Sequence, residues 1–190
     1  MDIKLIFAII ASAITVTAYF PYFKDIFSLK TKPHVYTWLI WTITQSVALL
    51  GLIYGKAGWG SLSLLIGTVF VFFIFLFSLK YGTRDITKFD TAILIISLLS
   101  VVVWFQVHNY LLAVFIATAT DVLGYVPSFR KSYHDPRSET VITWVLFGLA
   151  NLFALLALSR YNLLTITYLT SIFIANIALA LFCSIRKRFV

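Results

Sequence analysis

The sequence predicts an all-α integral membrane protein of seven transmembrane helices, N-outside and C-inside, built as two parallel three-helix repeats around one linking helix. Three observations carry this reading. Of 190 residues, 61% are hydrophobic and 12% charged, and the mean hydropathy is +0.97, a composition too apolar for a water-soluble domain of this size. Apolar runs of roughly 19 to 23 residues recur between short polar stretches, the length a helix needs to cross about 30 Å of hydrocarbon. The chain also matches itself without gaps at a fixed offset of 106 residues.

The first run, 3–23, is too long for the apolar stretch of a signal peptide and lacks a small-residue cleavage site before Phe20 and Pro21, so it reads as a retained helix. Further helices are expected over 36–54, 58–79, 89–107, 109–129, 139–159 and 162–185, each bounded by Lys, Arg, Asp, Gly or Pro. Backbone amides cannot stay unpaired in hydrocarbon, and the runs lack the alternation and turn spacing of barrel strands, so helices are required.

Charge sets the orientation. Lys24, Lys30 and Lys32, then Lys80, Arg84 and Lys88, then Arg130, Lys131 and Arg137, then Arg186, Lys187 and Arg188 fall on one side of the expected membrane, leaving Lys4, Lys56 and Arg160 on the other. That bias places the N-terminus outside and the protein in the cell (inner or plasma) membrane. The same distribution accounts for the net charge of +8 without nucleic acid as a partner.

In the self-match, Tyr19, Pro21, Phe23 and Lys24 fall on Tyr125, Pro127, Phe129 and Arg130. Thr37 and Trp38 fall on Thr143 and Trp144, Gln45 on Asn151 and Leu52 on Leu158. A three-helix unit crosses the membrane an odd number of times, so two copies share an orientation only when an odd number of helices separates them. The chain therefore divides into a first repeat over 1–84, a linking helix over 85–107 and a second repeat over 108–190. Transporters commonly bind solute near the midplane between such halves.

This plan, with Tyr19-Phe20-Pro21-Tyr22-Phe23-Lys24 in one half and Gly124-Tyr125-Val126-Pro127-Ser128-Phe129-Arg130-Lys131 in the other, resembles the SWEET and PQ-loop transporter superfamily. The glutamine of the family's Pro-Gln pair is replaced by Tyr22 and Ser128, and Pro33 and Pro136 lie in the inner loops rather than within helices two and six. The resemblance implies passage of a small polar solute, most often a sugar, by alternating access. KDEL receptors look like relatives with the same helical plan, so a ligand-binding receptor is the alternative, with a scaffold or lipid-handling protein a third. A receptor for a peptide tail would place several basic residues in its cavity, whereas these spans hold essentially none.

The candidate site residues follow from side-chain chemistry. Pro21 and Pro127 deprive the carbonyls of Thr17 and Leu123 of helical partners, marking symmetric hinges or fixed kinks. Asp121 is the carboxylate deepest in a span, about 12 Å from the inner end of the fifth helix. Such a group costs about 2.5 to 3.5 kcal/mol on insertion scales, so it marks either a protonatable or solute-bonding site, or a tie to a neighbouring helix. Thr118 lies one turn above it, Tyr125 one turn below, and Gly124 leaves room on the same face.

Trp38 and Gln45, like Trp144 and Asn151, are seven residues apart and share a helix face, giving two polar stripes that pair a stacking surface with an amide. Belt tryptophans and helix-bridging amides are the other reading of these pairs. Asn176 and Tyr168 on the last helix complete the expected pocket.

His34, His108 and His134 share no metal-ligand spacing, and Cys183 has no partner cysteine, so neither a metal, a cofactor nor an intrachain disulfide is expected. No phosphate loop, zinc motif or nucleophile elbow appears, so an enzyme is not expected. The last span holds no lysine to form a retinal Schiff base. The expected partners are a small polar solute and the lipid bilayer, with a homo-oligomer left open.

Overall fold

The computed structural model describes residues 2–29, 33–82, 86–125, 128–129, 132–133 and 141–188. Among them are seven α-helices and no strand. These are α1 (Ile3–Phe27), α2 (Val35–Tyr54), α3 (Leu62–Tyr81), α4 (Lys88–Val102), α5 (Tyr110–Leu123), α6 (Val141–Leu156) and α7 (Leu163–Arg186). A 3-10 turn, Gly58–Ser61, leads into α3, and a π-helical turn, Val103–Val107, extends α4.

Five helices are long and apolar enough to cross a membrane, over Ile3–Lys24, Val35–Tyr54, Gly58–Tyr81, Lys88–Val107 and Leu163–Arg186. The first helix exceeds its expected end at residue 23, because Pro21 removes one backbone donor without stopping the helix and the Ser28 amide closes the end on Lys24 O at 3.0 Å. The fifth ends at Leu123, with Ser128 and Phe129 helical again beyond it, and the sixth ends at Leu156, short of its expected end at residue 159. At the end of α5 the amides of Gly124 and Tyr125 reach the i−3 carbonyls of Asp121 and Val122 at 3.1 and 3.0 Å, so the last turn tightens. Pro127 and residues 139–140, which the sequence placed at this hinge and at the start of the sixth helix, lie outside the described residues.

The distribution of polarity is that of a protein whose solvent is lipid. Phe20 is 72% exposed, and Ile9, Phe72, Ile95, Phe115 and Ile174 also face outward. Ser12, Thr15, Thr44, Ser97, Ser100 and Asn176 are buried. Two inner hydroxyls of α1 return their protons to their own helix: Ser12 donates to Ala8 O at 2.7 Å and Thr15 to Ala11 O at 2.9 Å. Small residues permit close approach, as where Gly51 meets Val114 and Gly148 meets Ile177.

Packing follows one pattern in both halves of the chain. Helix α3 lies between α1 and α2, and α7 lies between α5 and α6. Across the middle, α1 packs on α6 and α2 on α5, while α4 lies against α2 and α5. Between these elements the bundle leaves its main internal space.

Candidate functional site

A cavity of about 630 Å³ lies between the two sets of three helices. That falls in the range of roughly 300 to 1,000 Å³ typical of small-molecule sites. Trp38, Gln45, Asp121, Tyr125, Trp144, Asn151 and Asn176, which the sequence singled out, all line it. Every helix except α4 contributes to the wall.

At one end the lining includes His34, the N-cap of α2, together with Thr37 and Ser128. This is the end where α1, α3 and α7 finish with Lys24, Lys80 and Arg186 in their last turns. In the other direction the lining reaches Ser63 and Tyr168.

Beyond the far end two turns interlock. The Ser159 amide donates to Ala57 O at 2.8 Å, and the Asn162 side-chain amide donates to Gly55 O at 2.8 Å. Gly58 stands at φ +60°, a conformation natural to glycine, and a Cβ there would collide with Ser159. Gly60 lies against Leu158 and the Ala154 carbonyl. Asn162 also caps α7, its Oδ1 accepting from the amides of Leu164 and Thr165 at 3.0 and 3.2 Å, so one side chain fixes both the helix start and the interlock.

Asp121 lies 3% exposed in the cavity wall. Its Oδ1 accepts from the Thr44 hydroxyl at 2.6 Å and its Oδ2 from the Tyr168 hydroxyl at 2.8 Å, so the carboxyl joins α5 to α2 and α7. It therefore ties helices together, and it also borders the open space. Two details differ from expectation. Thr118, one turn away, does not bond it, and the Thr118 hydroxyl has no partner among the described residues. The room at Gly124 is taken by the Trp41 indole, whose Nε1 lies 2.8 Å from where a Cβ would stand.

The amides are held in a common way. Asn151 Nδ2 donates to Phe147 O at 2.8 Å and Asn176 Nδ2 to Ile172 O at 2.9 Å, each one turn back on its own helix. One of the two amide protons of each is spent on backbone. Gln45 Oε1 and Asn176 Oδ1 are buried without a hydrogen-bond partner among the described residues.

Aromatic rings supply most of the remaining wall. Trp38 meets Trp41 edge-on at 5.1 Å between centroids and Tyr22 at 5.0 Å. Tyr125 packs on Trp144 at 5.6 Å, and Tyr19 on Phe147 at 5.0 Å. Trp41 and Thr44 escaped the sequence reading. Trp41 follows Trp38 by three residues and so shares its face, a usable signal, whereas a threonine inside an apolar helix carries no signal of its role.

Of the two hinge prolines, Pro21 lies within α1 and borders a separate void of about 150 Å³ shared with Thr17, Ile142 and Leu146. Among the described residues no three His, Cys, Asp or Glu side chains come together to hold a metal. Cys183 is buried and donates its thiol to Ser132 Oγ at 3.2 Å. Comparison with protein-family models, curated proteins and solved structures finds no match to this chain.

Proposed function

We propose that this chain is a transporter of the cell membrane that carries a small polar solute by alternating access between two three-helix repeats, like the SWEET and PQ-loop transporters it resembles. The observation that carries the reading is the cavity, bordered by polar groups at one end of the bundle, with interlocked turns at the other that we read as its seal. A site reachable from one side at a time is what alternating access requires.

The helix packing supports the repeat. At an offset of 106 residues α1 corresponds to α5, α2 to α6 and α3 to α7, and under that correspondence the α1–α6 contact becomes the α5–α2 contact. Helix α4 contributes nothing to the cavity, which suits a linking helix that only restores orientation. With the N-terminus outside, the sealed end is extracellular and the cavity faces inward.

The receptor reading gains no support from the wall, which among the described residues holds no lysine or arginine to meet a peptide carboxylate. The same absence favours a neutral or cationic solute over an anion.

The test is a reversible lock on the sealed end. The direct bond from Ser159 N to Ala57 O brings the two residues within disulfide range. In proteoliposomes, the Ala57→Cys/Ser159→Cys variant is expected to carry labelled sugars, amino acids or amines when reduced, to stop when oxidised and to recover on reduction. Equal flux in both states would sink the gate. Binding without flux in the wild type would turn the assignment to a receptor.

A further inference from the structure

The wall chemistry goes further and, resting on the transporter reading of this cavity, points to the class of solute. Among the described residues the lining carries a carboxyl group, Asp121, and no lysine or arginine. A carboxylate has roughly four lone-pair sites. Thr44 takes one oxygen and Tyr168 the other, one bond each, so each oxygen retains acceptor capacity.

The neighbouring groups are biased the same way. Asn151 and Asn176 spend amide protons on their own helices, Thr15 spends its proton on Ala11 O, and Thr44 and Tyr168 spend theirs on Asp121. Beside it Gln45 Oε1 and Asn176 Oδ1 are buried acceptors without a hydrogen-bond partner among the described residues. A buried acceptor without a donor is costly, so an occupant that brings donors is favoured over one that brings acceptors. The rings of Trp38, Trp41, Trp144 and Tyr125 add electron-rich surfaces that attract cations.

We infer that the cavity takes a small organic cation that carries N–H donors, a primary ammonium or guanidinium compound, with its charged nitrogen at Asp121 and its donors shared with Gln45 and Asn176. A quaternary ammonium would satisfy the charge and the rings and leave the amide oxygens unmet. A neutral solute would make no use of the charge Asp121 can carry.

Equilibrium binding and thermal shift of the purified protein in nanodiscs test this, with tyramine, agmatine, N-acetyltyramine, tetraethylammonium and glucose as probes. Tyramine and agmatine are expected to bind and raise Tm. N-acetyltyramine, the same ring without the charge, is expected to bind about 10- to 100-fold more weakly, as is tyramine to Asp121→Asn. Gln45→Leu and Asn176→Leu are expected to weaken tyramine several-fold while leaving tetraethylammonium unchanged. Should Asp121→Asn fail to fold, the tyramine and N-acetyltyramine pair on the wild type decides the matter.

Glucose or N-acetyltyramine binding as tightly as tyramine, or no binding by either cation, overturns the cation assignment and leaves a neutral-solute transporter standing. Tyramine bound but not moved in proteoliposomes upholds the cation site and overturns transport.

Discussion

Removing the two hydroxyls that hold Asp121 gives a direct measure of what the carboxyl does for the fold. Thr44→Val and Tyr168→Phe are close to isosteric and each deletes one hydrogen bond, of 2.6 and 2.8 Å. Hydrogen bonds to charged groups are worth about 1.5–3 kcal/mol in water-soluble proteins. Side-chain bonds in membrane bundles average about 0.6 and reach about 1.7 kcal/mol. Short, buried and made to a carboxyl, these two belong near the upper membrane value, about 1–2 kcal/mol each.

The double variant is more informative than either single one. Thr44 and Tyr168 bond opposite oxygens of Asp121, so the coupling between them runs through the carboxyl. With one donor gone the group keeps the other. With both gone a carboxyl that is 3% exposed has lost the two hydroxyls that bond it. The double variant is therefore expected to cost about 1 kcal/mol more than the sum of the single ones. In an Asp121→Leu background the same two substitutions should each cost little, since nothing is left to satisfy. Equilibrium unfolding in mixed micelles, followed by the fluorescence of the five tryptophans, supplies the free energies. Additivity within about 0.3–0.5 kcal/mol, or single costs near zero, would refute the reasoning, because the carboxyl would then be satisfied from the cavity and not by its neighbours.

Two further substitutions probe the seal and the hinge. Asn162→Ala removes a helix cap and the bond to Gly55 O together, so it is expected to cost about 1–2 kcal/mol and to make a cysteine at position 57 react faster with an external thiol reagent; unchanged labelling would show that the turns close without it. Pro21→Ala supplies the amide that Thr17 O lacks and is expected to raise thermal stability while slowing flux several-fold, so an unchanged rate would leave Pro21 as a fixed structural feature.

The helices were legible because lipid imposes one rule along the whole chain: a backbone in hydrocarbon must bond to itself, and the apolar length must match the bilayer. Boundaries at residues 36, 54, 89 and 162 moved by no more than one position, to Val35, Tyr54, Lys88 and Leu163. Trp38 with Gln45, and Trp144 with Asn151, reached the cavity because residues seven apart share a face and polar faces turn inward in a membrane bundle.

What the sequence hid depends on rotation and contact between helices. Nothing local distinguishes Thr44, which bonds Asp121, from Thr42, which bonds only Trp38 O. The π-helical turn at Val103–Val107 and the seal at Asn162 likewise arise from packing between distant segments. Gly55 fell between two expected helices, but Gly58 and Gly60 were read into the helix over 58–79, and only the opposing chain shows what the turn they form meets.

The proposed repeat makes the asymmetry of the site informative. At the offset of 106, Asp121 corresponds to Thr15, Thr44 to Ala150 and Tyr168 to Leu62, so the acid and both of its donors are absent together from the other half. Thr15 turns its hydroxyl to Ala11 O and joins no other helix by a hydrogen bond. On this reading the halves are unequally joined: a carboxyl hydrogen bond links α2 to α5, while the equivalent α1–α6 contact has no such link from Thr15. The 150 Å³ void beside Pro21 lies on that second contact. Rocking of the repeats would then pivot where Thr44 holds Asp121 and open where α1 meets α6, because the void gives the helix room and the proline removes the backbone bond that would resist bending. A solute whose charge sits at Asp121 would be held at the pivot, in contact with both repeats through the whole exchange.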